Sequence, residues 1–452
     1  MRPLVVAAGG SGSGKTTVAT GLARALSRRG VPLRPAKCGP DFLDPAWLAA
    51  AAGTPCLNLD PWMMGEDWVR AQAARLSRQG LLLVEGVMGL YDGRDPASDE
   101  GSTAHVARLL GAEVLLVLDA SGCARTFAAL VHGLTDFGKL PVCGVVANRT
   151  GSDGHAALLA RALESAGLPP LLGHIPKGEV PELGSRHLGL VAPADDSVIE
   201  RLADIVEARL DLSRWTDSAE WTESVNLSDV DAWLPEAGEG PLLGVVRDEA
   251  FGFLYQDALE ALRDAGVRVS WTSALHDAHL PAGIQGLWIP GGYPEEHAAA
   301  IGRNASWLAE LRSFCASDRP VLAECGGMIL LCRSVVDRDG IRHDLAGILP
   351  AAVTMNRRLA ALGYVDVELV ASGFLGAPGD RLRGHEFHYG SLDKDPDWDL
   401  AFAPDAPGMR AAGLGWRRGG TTASWVHLHL ASRPGAIRAW AQALERSEPW
   451  KA

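Results

Sequence analysis

Residues Leu4–Ala8 and 9–16 read LVVAA followed by GGSGSGKT, an apolar run that leads straight into a glycine-rich loop. The loop fits the pattern G-x-x-x-x-G-K-[ST], and apolar residues at helical spacing follow it over residues 17–28. The N–H groups of such a loop face phosphate oxygens, and the next helix N-terminus adds positive potential. A glycine-rich turn with a chance lysine is the alternative, which the flanking strand and helix disfavour. The stretch therefore predicts a phosphate-binding loop at the start of a parallel α/β domain.

The residues of this loop predict the contacts of a bound nucleotide. Lys15 is expected to reach the β- and γ-phosphates, and the hydroxyl of Thr16 is expected to bind Mg²⁺. The full set of expected nucleotide contacts in the loop is Gly12, Gly14, Lys15, Thr16 and Thr17. ATP and Mg²⁺ are therefore the predicted cofactors.

Two polar residues close later apolar runs, which are strand candidates. Glu85 follows residues 81–84 and is similar to the carboxylate that ends a metal-binding strand in such ATPases; a merely solvated glutamate is the alternative. Asn148 follows residues 142–147, where its amide is predicted to contact the adenine edge. With further candidate strands at 114–118 and 171–175, strand–helix alternation predicts a parallel sheet covered on both faces.

A chain of 452 residues exceeds what one hydrophobic core usually accommodates, so two domains are expected. Residues 1–210 form the predicted phosphate-binding domain, and 241–452 repeat the α/β pattern, with strands at 242–246, 267–271, 286–290 and 320–323. Residues 211–240 are rich in Asp, Glu and Ser and are predicted to be a linker, although their tryptophans indicate that part of it packs. The expected fold class is α/β, with two doubly wound parallel-sheet domains.

The second domain contains a cysteine in a setting that favours reactivity. Residues 320–328, PVLAECGGM, predict a strand, a tight turn at Cys325 and a helix, whose N-terminus would favour a thiolate. His427, about 100 residues later, is the predicted general base. The glycine turns supply predicted oxyanion-hole donors from Gly291, Gly292 and Gly326. A buried structural cysteine is the alternative for Cys325, and we assign it to the other six cysteines, which lack such a turn.

The overall composition excludes several classes of protein. A net charge of −13 argues against a nucleic-acid binder, which would show a basic stripe. No stretch approaches the roughly 20 apolar residues of a membrane span, and the apolar run at the N-terminus is short for a signal peptide. Seven cysteines, an odd number without a CxxC pair, favour a reducing compartment, so a cytoplasmic location is expected.

Together these motifs resemble known families. The C-terminal constellation resembles class I glutamine amidotransferases, and the whole chain is similar to the cobyrinic acid and hydrogenobyrinic acid a,c-diamide synthases of the cobalamin pathway. The resemblance is carried by KCGPDFLDP at 37–45, NLDPWM at 58–63, EGVMGLYDG at 85–93, RHLGL at 186–190, GGYPE at 291–295, ECGG at 324–327 and RGHEFHY at 383–389.

The resemblance implies further site residues. Asp44 and Glu85 match acidic positions tied to metal binding, and Lys37, Asp41 and Asp92 match positions that handle substrate and phosphorylated intermediate. Cys325 matches the thioester-forming nucleophile and His427 its base. The usual triad has a Glu two residues after this histidine, where this chain has His429, so what orients His427 is open.

The implied reaction is ATP-dependent amidation of the a and c carboxylates of a corrin-type polycarboxylate, through an acyl phosphate, with ammonia from glutamine. The rival interpretations are a cobyric acid synthase, a dethiobiotin synthetase, which would lack the cysteine domain, and a ParA-like ATPase switch, which usually carries an additional early lysine where this loop has Gly10. The sequence leaves open whether the macrocycle contains cobalt, the order of amidation and the oligomeric state, with a homodimer among the alternatives.

Overall fold

The computed structural model describes residues 2–181, 185–186, 189–190, 196–216, 239–404 and 414–451. The chain divides into two compact units, residues 1–233 and 234–452. Of the predicted linker, residues 217–238 lie outside the described residues, as do residues 187–188 of the RHLGL segment. Leu212 and Trp215, at the start of the predicted linker, are buried in the core of the first unit.

A seven-stranded parallel sheet forms the centre of the first unit, in the order β3-β2-β4-β1-β5-β6-β7. Its middle strands are continuous apolar runs because helices cover both faces. The strands are β1 Leu4–Ala8, β2 Leu33–Cys38, β3 Leu57–Leu59, β4 Leu81–Glu85, β5 Glu113–Asp119, β6 Val142–Thr150 and β7 Leu171–Pro176, followed by the small pair β8 Ser185–Arg186 and β9 Gly189–Leu190. The helices are α1 Lys15–Arg28, α2 Leu43–Ala52, α3 Pro61–Met64, α4 Glu66–Ser77, α5 Thr103–Leu110, α6 Arg125–Gly138, α7 Asp153–Ser165, α8 Asp196–Arg209 and α9 Ser213–Thr216.

The second unit also contains a seven-stranded sheet, in the order β12-β10-β13-β15-β25-β24-β22. Its first five strands are parallel, whereas at one edge β24 pairs antiparallel with β25, and β22 pairs antiparallel with β24. The same unit contains two further four-stranded sheets, in the orders β17-β16-β18-β21 and β23-β19-β20-β26. The sheets of this unit are therefore mixed, and the expectation of a purely parallel sheet holds only for the part formed by β10, β12, β13, β15 and β25.

The second unit is built from strands β10–β26 and helices α10–α14. The strands are β10 Leu242–Val246, β11 Phe251–Phe253, β12 Arg268–Thr272, β13 Gly286–Ile289, β14 Gly291–Gly292, β15 Val321–Glu324, β16 Cys332–Val336, β17 Arg342–Asp344, β18 Leu349–Met355, β19 Ala361–Leu369, β20 Arg381–His388, β21 Gly390–Leu392, β22 Asp399–Leu400, β23 Phe402–Pro404, β24 Gly415–Arg418, β25 Thr421–Ser424 and β26 His427–Leu428. The helices are α10 Gln256–Asp264, α11 Ala298–Arg303, α12 Ala305–Cys315, α13 Gly326–Leu331 and α14 Pro434–Arg446.

In each unit the polar residues singled out above follow the carboxyl ends of central parallel strands, where open α/β sheets bind ligands. The phosphate loop follows β1, and Glu85 ends β4. In the second unit the glycine turn follows β13, and Cys325 follows β15. Across the described ranges, none of the helices has the length and hydrophobicity that a bilayer span requires.

Candidate active sites

The phosphate loop has the backbone conformation that its glycines permit. Gly12 and Gly14 adopt φ values of +75° and +97°, which L-residues with a side chain rarely adopt. A Cβ placed on Gly14 would lie 2.2 Å from Nδ2 of Asn148. That amide donates to the carbonyl of Ser13 at 2.9 Å, so Asn148 contacts the loop itself. Thr17, in the first turn of α1, is half-buried.

Lys15 is buried behind the loop and donates from Nζ to the carbonyl oxygen of Met88 at 2.5 Å. Burial lowers its pKa, and the positive charge of Lys37 acts in the same direction. Asp92, on the loop after β4, accepts a hydrogen bond at Oδ2 from the N–H of Gly89 at 2.9 Å. The amine of Lys15 is thus held at the junction of the phosphate loop and the segment that follows Glu85.

Beside Lys15 the structure brings a hydroxyl, a lysine and two carboxylates together. Thr16 donates from Oγ1 to Oε1 of Glu85 at 2.5 Å. The ammonium of Lys37 lies 3.2 Å from the same oxygen and 2.6 Å from Oδ2 of Asp44. Burial opposes a charge on Lys37, but the carboxylates of Glu85 and Asp44 outweigh it and raise the pKa of the amine. Lys37 therefore offsets negative charge that would otherwise repel an anionic ligand.

The acidic residues of this cluster differ in their surroundings. Burial, reinforced by Asp44, raises the pKa of Glu85 to about 7 and that of Asp41 to about 6. Asp41 accepts hydrogen bonds at Oδ1 from the N–H groups of Leu43 and Asp44, at the start of α2. Asp41 and Asp92 therefore both cap their own loops, whereas Glu85 and Asp44 face Lys37.

The oxygen atoms around Glu85 fit a magnesium ion bound together with a nucleotide. Oε2 of Glu85 is buried without a hydrogen-bond partner among the described residues, while Oε1 meets the hydroxyl of Thr16. Carboxylate and hydroxyl oxygens are the donors that Mg²⁺ prefers, with the remaining positions usually taken by phosphates and water. Within the described ranges no group of His, Cys, Asp and Glu side chains is numerous enough to hold a metal by itself.

In the second unit, Cys325 occupies a strained turn between β15 and α13. Its φ of +47° and ψ of −103° are rare for a residue with a side chain, and such strain is characteristic of a nucleophile held clear of a sheet. The backbone N–H donates to the carbonyl of Ser424 at 2.6 Å. Burial, followed by the nearby charge of Glu295, raises the pKa of the thiol. A neighbouring base would therefore have to accept the thiol proton before Cys325 could act as a nucleophile.

The glycine turn after β13 lies against both the cysteine turn and His427. A Cβ on Gly326 would lie 2.8 Å from the backbone nitrogen of Gly292, and one on Gly291 would lie 2.2 Å from Cε1 of His427. Only glycine therefore fits at either position without displacing the backbone or the imidazole. The structure thus brings the three predicted oxyanion-hole glycines, the cysteine turn and the predicted base to one place.

His427 lies in a buried group of aromatic and imidazole rings. It stacks on His385 with ring centroids 4.9 Å apart and an angle of 17° between the planes. Burial lowers the pKa of His427, and His385 and His388 act in the same direction. Nδ1 of His385 is 2.8 Å from the hydroxyl of Tyr255, and burial lowers the pKa of His385 to about 3. Both stacked imidazoles are therefore neutral near pH 7, as a base that takes a proton from a thiol must be.

His429 has different neighbours. Its Nδ1 accepts from the N–H of Ala431 at 3.2 Å, which leaves Nε2 to donate to Oδ1 of Asp257 at 3.1 Å. Both side chains are fully buried. His429 thus ties the chain after the predicted base to α10.

Sequence reasoning assigned no role to Glu324, His385 or Tyr255, which contact the cysteine centre or its neighbours. Glu324 and His385 lie within the segments ECGG and RGHEFHY, so the position of a carboxylate at the end of a buried strand was an available signal. Tyr255 carries no comparable signal because it reaches His385 across 130 residues of sequence.

Comparison with known proteins shows the family to which the chain belongs. Residues 4–191 match the model of the CobQ/CobB/MinD/ParA nucleotide binding domain, and residues 243–435 match that of the CobB/CobQ-like glutamine amidotransferase domain. A cobyrinate a,c-diamide synthase of Syntrophotalea carbinolica is 45% identical over 97% of this chain and 97% of its own. The chain belongs to the a,c-diamide synthase family.

Other members of the a,c-diamide synthase family are similar over the same extent. A hydrogenobyrinate a,c-diamide synthase of Pseudomonas aeruginosa is 41% identical, with 96% of each chain covered. One from Stutzerimonas stutzeri is also 41% identical, over 96% of this chain and 97% of its own. The predicted family resemblance is confirmed, and the nucleotide-binding and amidotransferase domains are those that the sequence motifs indicated.

Proposed function

We propose that this chain is a glutamine-hydrolysing carbon–nitrogen ligase that amidates the a and c carboxylates of cobyrinate or hydrogenobyrinate in cobalamin biosynthesis. Relatives whose names carry this activity match along almost the whole chain. The observation that carries the proposal is the presence in one chain of two separate sites. One is the phosphate loop beside the cluster of Lys37, Glu85 and Asp44. The other is the strained backbone turn at Cys325, together with the glycine turn that contacts His427. An ATPase switch would need only the first.

In the first unit, ATP is proposed to bind on the phosphate loop and to phosphorylate a carboxylate of the macrocycle. A carboxylate is a poor electrophile, and an acyl phosphate supplies a good leaving group. Lys15 would stabilise charge on the transferring phosphoryl group. Mg²⁺, held by Thr16, Glu85 and Asp44, would add Lewis-acid stabilisation of phosphate oxygens. Lys37, Asp41 and Asp92 are proposed to contact substrate or intermediate, and the predicted Asn148–adenine contact remains part of the proposal.

In the second unit, His427 is proposed to take the proton of Cys325, whose thiolate attacks the side-chain amide of glutamine. The tetrahedral oxyanion would be bound by N–H groups of Gly291, Gly292 and Gly326, each contributing about 3–4 kcal/mol. Ammonia leaves, and water hydrolyses the thioester. Free ammonia can replace this step. A cytoplasmic location is also part of the proposal.

Isotope transfer tests the proposed acyl phosphate directly. A macrocycle whose carboxylates carry heavy oxygen is incubated with ATP, Mg²⁺ and glutamine, and the phosphate released is analysed by mass spectrometry. Each amide formed is expected to deliver one heavy oxygen to phosphate. Diamide formation without that transfer would rule out activation by phosphorylation.

A further inference from the structure

Glu324 is a buried carboxylate that ends β15 directly before Cys325, and only 2% of its surface is exposed. Each of its oxygens accepts one hydrogen bond. Oε2 accepts from the indole Nε1 of Trp288 at 2.9 Å, and Oε1 accepts from the backbone N–H of Leu428 at 2.8 Å. The donors are 36 and 104 residues away along the chain. One side chain therefore joins three segments.

Each joined segment carries one part of the cysteine centre. Trp288 lies on β13, whose chain continues to the turn at Gly291 and Gly292. Leu428 directly follows His427, and Glu324 itself precedes Cys325. The carboxylate thus connects the strands that lead to the nucleophile, the base and the glycine turn.

The hydrogen bonds of Glu324 are important because His427 does not belong to the central sheet that contains Cys325's strand, β15. β25 pairs with β15 up to Ser424, opposite Glu324, and the chain then pairs with β20 in the neighbouring sheet, where His427 lies opposite His385. The two-residue strand β26 is short. The hydrogen bond from Leu428 to Glu324 ties this strand back to β15, beside the cysteine.

We propose that Glu324 is a positioning residue of the glutamine-hydrolysing centre, whose ionised carboxylate holds the His427 strand and the Trp288 strand in register with Cys325. This inference rests on the proposed function of the second unit. It assigns to Glu324 the orienting role that a carboxylate two residues after the histidine would otherwise have, a position taken here by His429.

The chemistry of the contacts explains why the residue is a glutamate. Two N–H donors point at the side chain, and only a carboxylate offers an acceptor to each. A glutamine of the same shape can accept one of them, but its NH₂ group must then face the other donor, whichever way the amide is turned. Both donors are uncharged, and burial raises the pKa of Glu324 to about 7 while their hydrogen bonds oppose that rise.

The isosteric variant Glu324→Gln tests the proposal. We expect kcat for glutamine hydrolysis to fall roughly 100-fold, as misplacement of a catalytic group by about 1 Å does, with KM for glutamine nearly unchanged. Amidation with added ammonium should stay at the wild-type rate. The matched control is Glu310→Gln, since Glu310 also accepts from a backbone N–H, that of Leu280, and from a side chain, that of His279. An unchanged kcat in Glu324→Gln, or an equal loss with ammonium, would overturn the proposal.

A double-mutant cycle with Trp288→Phe separates positioning from general damage to the core. Phenylalanine removes one of the two donors, so the glutamine of the double variant can turn its oxygen to Leu428 while its NH₂ group faces the phenyl ring, where no N–H opposes it. We expect the double variant to hydrolyse glutamine about 10-fold faster than Glu324→Gln alone, so that the coupling is at least this large once the loss in Trp288→Phe alone is included. Additive losses would contradict the two-acceptor role. A wild-type protein without glutaminase activity would instead contradict the proposed function itself.

Discussion

The imidazoles of His385 and His427 stack with 4.9 Å between their centroids, and the two residues are also direct partners across β20 and β26. His385 is in turn hydrogen-bonded to the hydroxyl of Tyr255. The rotation of the proposed base is therefore restricted by a ring that is itself fixed. The strand that carries His427 is also held by the hydrogen bond from the N–H of Leu428 to Glu324.

Removal of the Tyr255 hydroxyl is expected to loosen this stack. Tyr255→Phe keeps the ring that lies 4.7 Å from His429 and deletes the hydroxyl that is hydrogen-bonded to His385. We expect kcat for glutamine hydrolysis to fall by about 10-fold, with ammonium-dependent amidation unaffected, because one hydrogen bond contributes on the order of 1 kcal/mol. Steady-state assays with both nitrogen donors check this. Unchanged glutaminase kinetics would show that the Tyr255–His385 contact does not position the base.

The nucleophile and base are expected to be needed only for glutamine. Cys325→Ala and His427→Ala should abolish glutamine-dependent amidation and spare reaction with added ammonium, because neither residue is required once ammonia is present. His429→Ala should reduce glutamine use less, but it should lower the free energy of unfolding by roughly 1–3 kcal/mol because it leaves Asp257 buried without this partner. Equal loss with both donors in folded Cys325→Ala would contradict the two-site account. A larger activity loss in His429→Ala than in His427→Ala would reverse the two roles.

The acidic cluster of the first unit should show the opposite pattern. Asp44→Asn and Glu85→Gln remove carboxylates that face Lys37, and they should lose amidation with both nitrogen donors. Glutamine hydrolysis at Cys325 should survive at least in part. Initial rates of glutamate release and of amide formation, measured on the same preparations, separate the two activities. Normal ammonium-dependent amidation by Glu85→Gln would show that this carboxylate does not serve the phosphoryl transfer.

The pH dependence of glutamine hydrolysis should reflect Glu324. Because the pKa of this carboxyl is raised to about 7, protonation begins as the pH falls through that value, and the protonated form loses one acceptor. The activity is therefore expected to decline below about pH 7. His385 and His427 stay neutral across this range because their pKa values are lowered, and the pKa of the Cys325 thiol is raised.

Glu295 is another nearby group that titrates in the same range, since burial raises its pKa to about 7. Rate profiles from pH 5.5 to 8.5, in roughly half-unit steps around the raised value, distinguish the two carboxyl groups. The decline should persist in Glu295→Gln and disappear from the residual activity of Glu324→Gln. The reverse result would assign the titration to Glu295.

Elements whose sequence signals lie within a few neighbouring residues could be predicted from the sequence. The run Leu4–Ala8 with its glycine loop, and the strand and turn around Cys325, contain within a few residues both their apolar run and their turn residues. β2 was not predicted because it contains Arg34, Pro35 and Lys37, yet all six of its residues are buried. Arg34 is accommodated by Gln79 and Lys37 by Glu85, which are partners far along the chain.

Several strands of the second unit were also not predicted. β20 reads RLRGHEFH, which has too few apolar residues to predict a strand, and it is stabilised by pairing with β19 and β26. β19 does carry a two-residue alternation, since the buried residues Val365, Val367 and Leu369 alternate with Asp366 and Glu368, but this signal was not recognised as a strand. The role of Glu324 depends on donors from two distant segments, which only the folded chain brings together.

We infer that two chemically separate sites convert one macrocycle into its a,c-diamide. The most direct measurement is mass spectrometry of the product formed from cobyrinate or hydrogenobyrinate with ATP, Mg²⁺ and glutamine whose side-chain amide carries heavy nitrogen. We predict a diamide with both new amide nitrogens labelled, absent without ATP and absent in Lys15→Ala. Recovery of the unchanged macrocycle, with ATP and glutamine consumed independently of it, would contradict the account.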